Sequence, residues 1–532
     1  MARSETARCF RNKGRRRANG TLATGTAVLC ACILLLLPVT SPKAAGHHAA
    51  AGRAAVATGH PARFFPPPQA THAHGNLRRV WRGTAIAKPH LRQSGTGNHR
   101  FFKHDRHRGH PAAIPPPSGT SEQLATLAHR TQRTTPGQRL PGPVPRQILV
   151  LLDEEQPNSL GSELGRTYGL ERIGSERVSL LRARAELMRV RPGRSQEAVL
   201  AALQRDPRVR SAHPNQRYVS AGDVPGALEL AKADHLSREQ RDRGPEASIP
   251  QYAPRKLSLP DAHRLALGRN VAIAVIDSAV DVRHPDLRGA ISRAFDAAGR
   301  PDVTPDYHGT AIAGIIRGHG LVHGAAPESE LLAVRAFRAN GEAEGPTTTT
   351  HILISAVDWA VRNGARVLNM SFIGVHDPAL QQILSAAHRN GVVIVAAAGN
   401  GGPTAPPAYP AAYPEVIAVT AVDESDHRYQ YANRGSYIAL AAPGVDILAP
   451  VERGGYAYVS GTSFAAAYVS AVAALLLESD PNLDPRSILE LLTTGAEELG
   501  PGGRDDDFGA GRVNAYSSLK LLANQLSAKR SD

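Results

Sequence analysis

A chain of 532 residues with a formal net charge of +15 exceeds one ordinary domain and divides into two or three ordered units. The charge is lopsided: residues 1–250 hold 39 Lys+Arg and 18 Asp+Glu, a net +21, whereas residues 251–532 hold 23 and 29, a net −6. A C-terminal half without a positive stripe argues against nucleic acid as partner, and cysteines confined to Cys9, Cys30 and Cys32 leave the remainder to be held by packing alone.

The N-terminus carries Arg3, Arg8, Arg11, Lys13 and Arg15-Arg16-Arg17, followed by an uncharged span from Thr21 to Val39. A basic start before an apolar span is an export signal, and residues 1–43 read as a signal peptide or a membrane anchor. The span is long for a cleaved signal and barely long enough to cross a bilayer, so both readings stand, with Lys43-Ala44-Ala45 as the cleavage zone of the first. The expectation is an exported protein that is secreted, periplasmic or anchored by residues 21–39.

Residues 44–145 turn to Ala, His, Pro, Gly and Arg, with Asp105 and Glu122 the only acids. Without helical or strand period they read as a disordered linker. Residues 1–145 hold 11 of the 22 histidines, among them His72, His74, His104, His107 and His110. The arginines between them repel a cation, so a polycationic tether is the better reading than a metal site. Such a tether suits contact with an anionic membrane or envelope polymer.

Order begins near Gln147. Ile148-Leu-Val-Leu-Leu152 is an apolar run of strand length, and Asn158-Ser159 can cap a helix ending near Gly169. Val178 to Val190 reads as one or two strands. Ser195, with Glu197 in the first turn, starts a second helix, and Val209 to Val219 reads as a final strand. Strand, helix, strands, helix, strand is the split βαβ pattern of a ferredoxin-like α+β unit, residues 146–220. Residues 221–255 are polar and proline-punctuated, an exposed linker.

From 256 to 525 apolar strands alternate with amphipathic helices. Val271–Ile276, Leu332–Val334, Val367–Met370, Val392–Val395 and Val416–Val419 read as buried strands. Helices at Ile352–Asn363 and Ala379–Asn390 are each followed by a capping glycine, Gly364 and Gly391. This is an α/β pattern, a parallel sheet with helices on both faces, whose ligands bind at the carboxyl ends of the strands. The apolar helix 463–477 is short and Ala-rich and reads as a buried central helix.

Four segments carry chemistry in this order: Val-Ile-Asp277-Ser278, His308-Gly309-Thr310, Ala-Gly-Asn400 and Gly461-Thr462-Ser463. Together they supply a carboxylate, an imidazole, an amide and a hydroxyl at strand–helix junctions. At these residues the chain resembles the subtilases, the subtilisin-like serine peptidases, whose triads run Asp, His, Ser. The resemblance implies that Ser463 is the nucleophile, His308 the general base and acid, Asp277 the orienting carboxylate, and Asn400 an oxyanion-hole donor. It implies that Ser371, Phe372, Ile373 and Gly374 bind substrate backbone as an added strand. Residues 205–218 look like the end of the inhibitor-type propeptide that precedes many subtilases, so residues 146–220 become an inhibitor domain and 221–255 a processing linker. The partners implied are a polypeptide substrate and the chain's own propeptide.

The chain departs from the family pattern at several positions. Ala279 stands where glycine is usual, and its methyl group is expected to crowd a tight turn. Ala311 and Ala467 replace a usual histidine and proline, and Ile373 replaces a common glycine and narrows the adjoining pocket. The loop between Gly314 and Gly324 is shorter than in subtilisins with a strong calcium site. Asp286 matches one ligand of that site, but one carboxylate does not make a calcium site. No metal is assigned and no cofactor is required. The expected function is an exported serine endopeptidase made as a self-inhibited precursor. The alternative is a catalytically impaired subtilase-like protein that binds peptide or envelope polymer.

Overall fold

The computed structural model describes residues 140–221, 251–299, 304–338 and 346–531. The export segment, the basic linker and most of the processing linker lie outside the described residues.

The first ordered unit builds β1 (Gln147–Asp153), α1 (Leu160–Tyr168), β2 (Leu170–Val178), β3 (Ala183–Val190), α2 (Gln196–Leu203), β4 (Ser211–Pro214) and β5 (Arg217–Ser220). The first four strands form an antiparallel sheet in the order β2-β3-β1-β4. Gly169 ends α1 with φ +68°, and Ser195 caps α2 by accepting from Ala198 N at 3.2 Å. The unbroken apolar run of β1 has a simple cause, since both faces of this sheet are covered. Ile148, Val150 and Leu152 pack with Leu164, Met188 and Leu203 beneath the two helices. Leu149 and Leu151 join a second core with Leu353, Leu380 and Leu384 of the following domain.

The stretch Val178–Val190 holds one strand, β3, within the one or two expected, while β2 begins earlier, at Leu170, and was not anticipated. One expectation needs correcting. Val209–Val219 is not one strand, because Pro214 closes β4 and the chain crosses to another sheet as β5.

The larger domain opens with short helical turns at Tyr252–Lys256 and Leu259–Ala262. It continues through β6 (Ala272–Asp277), β7 (Ile291–Asp296), α3 (Tyr307–Arg317), β8 (Glu330–Arg335), β9 (Thr347–Thr349), α4 (Thr350–Arg362), β10 (Ala365–Met370), β11 (Phe372–Gly374) and α5 (Pro378–Arg389). The remainder is β12 (Val393–Ala397), β13 (Ile417–Val422), β14 (Ile438–Pro443), β15 (Ile447–Val451), β16 (Gly455–Val459), α6 (Thr462–Ser479), α7 (Pro485–Thr494) and α8 (Ala515–Ser531). Seven strands make a parallel sheet in the order β14-β13-β12-β10-β6-β8-β7. Gly364 and Gly391 follow α4 and α5 with φ of +87° and +79°, the left-handed geometry a C-terminal glycine permits.

Helix α6 is buried from Thr462 to Leu477. Its alanines let it lie close against β10, β12 and β13, so its composition reflects a domain core and not a bilayer. Ala311 and Ala467 are fully buried in the core shared by α3 and α6. At both positions the chain places a small side chain in this core.

Candidate active site

The carboxyl end of the parallel sheet gathers the polar residues. Asp277 closes β6 and is 3% exposed. Its Oδ1 accepts from Ser278 N at 2.6 Å and lies 2.8 Å from His308 Nδ1. His308 is fully buried in the first turn of α3, whose cap is Asp306, accepting from His308 N at 3.0 Å. Ser278 Oγ donates to Asp306 at 2.8 Å and accepts from Gly309 N at 3.0 Å, so one hydroxyl locks the carboxylate turn to the imidazole helix. Burial alone would push His308 down. The Asp277 charge, its hydrogen bond and the Asp306 charge together raise it above the ordinary imidazole value.

Ser463 is the second residue of α6 and is fully buried. The helix is entered through Gly461 at φ +150°, a conformation open to glycine. Ser463 Oγ donates to Ser371 O at 3.4 Å, a long bond, and His308 Nε2 has no hydrogen-bond partner among the described residues. The ring of Phe464 lies 5.6 Å from that of His308, which places the start of α6 beside the imidazole. A buried relay fixes this end of the helix. Ser470 Oγ donates to Asn369 at 3.0 Å, Asn369 Nδ2 to Ser371 Oγ at 2.9 Å, and Ser371 Oγ to Ser463 O at 3.1 Å.

Asn400 is oriented by Thr462, whose N and Oγ1 both donate to Asn400 Oδ1, at 3.1 and 2.9 Å. That leaves Asn400 Nδ2 facing the cleft, where it donates to the carbonyl of Ala221. The amide N–H of Ala221 in turn donates to Ser371 O at 3.1 Å. Upstream, β5 runs antiparallel to β11 on one side, with Phe372 opposite Ser220, Ile373 opposite Val219 and Gly374 opposite Tyr218. It runs antiparallel to β9 on the other side. The chain's own segment 217–221 therefore lies as the central strand of a three-stranded sheet, ending beside Asn400.

All eight residues singled out in the sequence thus meet at one end of the sheet. Asp306, Asn369 and Thr462 were missed. Asp306 carried a readable signal, an acid at the cap position before a helix, whereas Asn369 and Thr462 act only through contacts between distant elements. Ala279 is buried and takes no positive φ, so its methyl group does not strain the turn, contrary to expectation. Ile373 lies on the same strand face as Val219 and Ala221, in the same buried cluster as Ala221.

Asp286 is 1% exposed and fully engaged without a metal. Oδ1 accepts from Leu321 N at 3.1 Å and Tyr456 Oη at 2.5 Å, and Oδ2 accepts from Val322 N at 2.7 Å. A carboxylate surrounded by donors is the wrong partner set for calcium, which takes a shell of oxygen acceptors. Asp286→Ala is expected to destabilise by about 3 kcal/mol, because two N–H groups and the buried Tyr456 hydroxyl lose their acceptor. Calorimetry of the two proteins checks it.

A parallel sheet that sets a carboxylate against an imidazole, beside a serine at a helix mouth and an amide donor gripping a peptide carbonyl, defines a hydrolase of the serine type. Residues 268–511 match the model of the Subtilase family. Thermitase of Thermoactinomyces vulgaris is 34% identical over 284 residues, covering 52% of this chain and 98% of that protein. The chain belongs to the subtilase family of serine endopeptidases. A thermophilic serine proteinase of Bacillus sp. (strain AK1) is 33% identical over 61% of this chain and 76% of its own length. Among solved structures, fervidolysin of Fervidobacterium pennivorans, a keratinolytic enzyme related to subtilisin, superposes with a TM-score of 0.59 at 25% identity. That match covers 72% of this chain and spans 63% of the other.

Proposed function

We propose that the chain is an exported endopeptidase precursor, inhibited by its own residues 146–221, that cuts itself after Ala221. The observation that carries this reading is the Ala221 carbonyl in the grip of Asn400 Nδ2, with β5 paired on both edges like a bound peptide. In the reaction, Ser463 Oγ attacks the Ala221 carbonyl carbon while His308 Nε2 takes its proton. Asp277 holds the Nδ1–H tautomer and balances the imidazolium. The developing oxyanion is met by Asn400 Nδ2 and by the Ser463 N–H at the positive end of α6. His308 then protonates the departing amine of Gly222, and water releases the acyl group through the same base.

The hydroxyl reaches His308 Nε2 by a rotamer change from its long bond to Ser371, a tightening common on entry to the reactive complex. After the cut the small domain stays docked as product, held by β5 and by Leu180 N donating to Asp358 Oδ1 at 2.7 Å. The test is labelling of the self-cleaved chain by a fluorophosphonate. Labelling of wild type and none of Ser463→Ala is expected; equal labelling of both refutes the role of Ser463.

Release of the small domain is expected to quicken on acidification. His351 packs beside Gly174, and its main-chain N donates to Asn215 of the small domain at 3.1 Å. Burial pushes it down to about 4, and burial also lowers His213 on β4, opposed by Asp377. A released histidine titrates near 6.5, so the docked state is unpenalised above that pH and loses ground as pH falls from about 6.5 towards 4. Glu176 acts in the opposite sense, because burial raises it against its bond from Ser355, with Asp358 adding to the rise and Arg362 opposing it. Its effect sets in only towards the carboxylate range. Retention of the cleaved fragment, followed by size exclusion, is expected to fall about tenfold between pH 8 and pH 5, and less in His351→Gln.

A further inference from the structure

Side chains alternate along β5, so Tyr218 and Ser220 face one way, Val219 and Ala221 the other. Tyr218 is fully buried. Opposite it stands Gly374, where an added Cβ would lie 2.3 Å from Tyr218 Cδ1. The ring fills the room that a side chain at 374 would take, and it meets Phe372 edge-on at 5.8 Å. At the far end of this pocket is a charge. Tyr218 Oη donates to Asp377 Oδ2 at 2.9 Å.

Asp377 is itself fully buried and fixed from every side. Its Oδ1 caps α5, accepting from Ala379 N at 2.9 Å and Leu380 N at 3.4 Å. Its Oδ2 accepts from Thr350 Oγ1 at 2.6 Å. Its main chain is clamped by Tyr413, whose hydroxyl accepts from Asp377 N and donates to Asp377 O, each at 2.9 Å. The carboxylate is therefore placed by the enzyme domain, and the position left on Oδ2 is taken by the phenol. Burial and the neighbouring charge hold that phenol well above its ordinary value, so it stays a donor. A pocket meant for any apolar side chain gains nothing from a carboxylate at its end, since a buried charge short of a donor is costly.

We infer that the cleft selects tyrosine at the fourth residue before the cut, with Asp377 reading the phenolic hydroxyl. The inference rests on cleavage after Ala221, which makes Tyr218 that residue. Phenylalanine fits the same space but leaves Asp377 Oδ2 one donor short. The substrates implied are extended polypeptide segments that present a tyrosine three residues ahead of the one whose carbonyl is attacked.

The experiment uses the self-cleaved chain, with the docked fragment released by acidification and removed, and three fluorogenic peptides, Tyr-Val-Ser-Ala, Phe-Val-Ser-Ala and the O-methyltyrosine analogue, which cannot donate. The tyrosine peptide is expected to exceed the other two in kcat/KM by about 10- to 100-fold. Asp377→Asn, which keeps a helix-capping side chain, is expected to bring the tyrosine-to-phenylalanine ratio towards one. That ratio does not depend on how much of the variant folds. Equal rates for tyrosine and phenylalanine, with hydrolysis abolished by Ser463→Ala, would overturn the selectivity and leave the peptidase reading intact. A ratio that survives in Asp377→Asn removes Asp377 from the recognition. Hydrolysis of none of the three overturns both readings together.

Discussion

Ser463→Ala is expected to leave the expressed chain uncut between Ala221 and Gly222, whereas wild type yields a new N-terminus at Gly222. On the proposed mechanism Ser463 forms the acyl bond, and its removal lowers turnover by about 10⁶-fold. The substitution is mild for the fold, because among the described residues Ser463 Oγ makes one hydrogen bond, the long 3.4 Å one to Ser371 O, and its main chain is held independently by Ser371 Oγ. Intact mass and N-terminal sequencing of the two proteins decide the matter. The same terminus appearing in Ser463→Ala would mean that another protease makes the cut and that self-processing is wrong.

The variant also separates the two jobs of segment 217–221. With the cut blocked, β5 keeps its pairing to β11 and β9, and the chain remains folded with its cleft filled. An unprocessed Ser463→Ala protein that unfolds cooperatively near the wild-type temperature agrees with this picture. Inhibition and processing then come from one strand, which binds as substrate before the cut and as product after it.

The parallel sheet was legible because its inner strands are buried on both faces and read as continuous apolar runs, as in Val393–Ala397. The edge strand β7 was not, since Ile291–Asp296 is half polar and half exposed and carries no period. β14 was missed for another reason: Ile438–Pro443 is half alanine, which suits helix as well as strand. The residues gathered at this end of the sheet were readable where a motif is local, as at Asp277, His308, Asn400 and Ser463. The segment β5 defeated sequence reading because Tyr218 and Val219 look like ordinary core residues of the small domain. Nothing local says that they leave that sheet and enter the cleft of the next domain. Asp377 was invisible for the same reason, since an Asp before Pro378 reads as a helix cap. Its second oxygen acquires meaning only when Tyr218, 159 positions away, arrives beside it.

Asp277→Asn is expected to lower kcat/KM by about 10⁴-fold with little change in fold. An asparagine fills the same space, and its oxygen can still accept from Ser278 N, so the turn at the end of β6 is retained. What disappears is the negative charge beside His308 Nδ1. In wild type that charge and its hydrogen bond overcome the burial that would otherwise lower the imidazole. Activity requires the neutral base, so wild type loses activity as pH falls through a value above the ordinary 6.5. With asparagine the burial acts unopposed except by Asp306, the imidazole titrates lower, and the acid limb of the kcat/KM profile moves to lower pH. The proton-acceptor form is then present over a wider range, yet turnover falls, because the imidazolium formed during attack has lost its counter-charge. A pH profile of both proteins on one peptide substrate checks the two signs together. An acid limb at the same pH in both would assign that titration to a group other than His308, and an undiminished rate would remove Asp277 from the reaction.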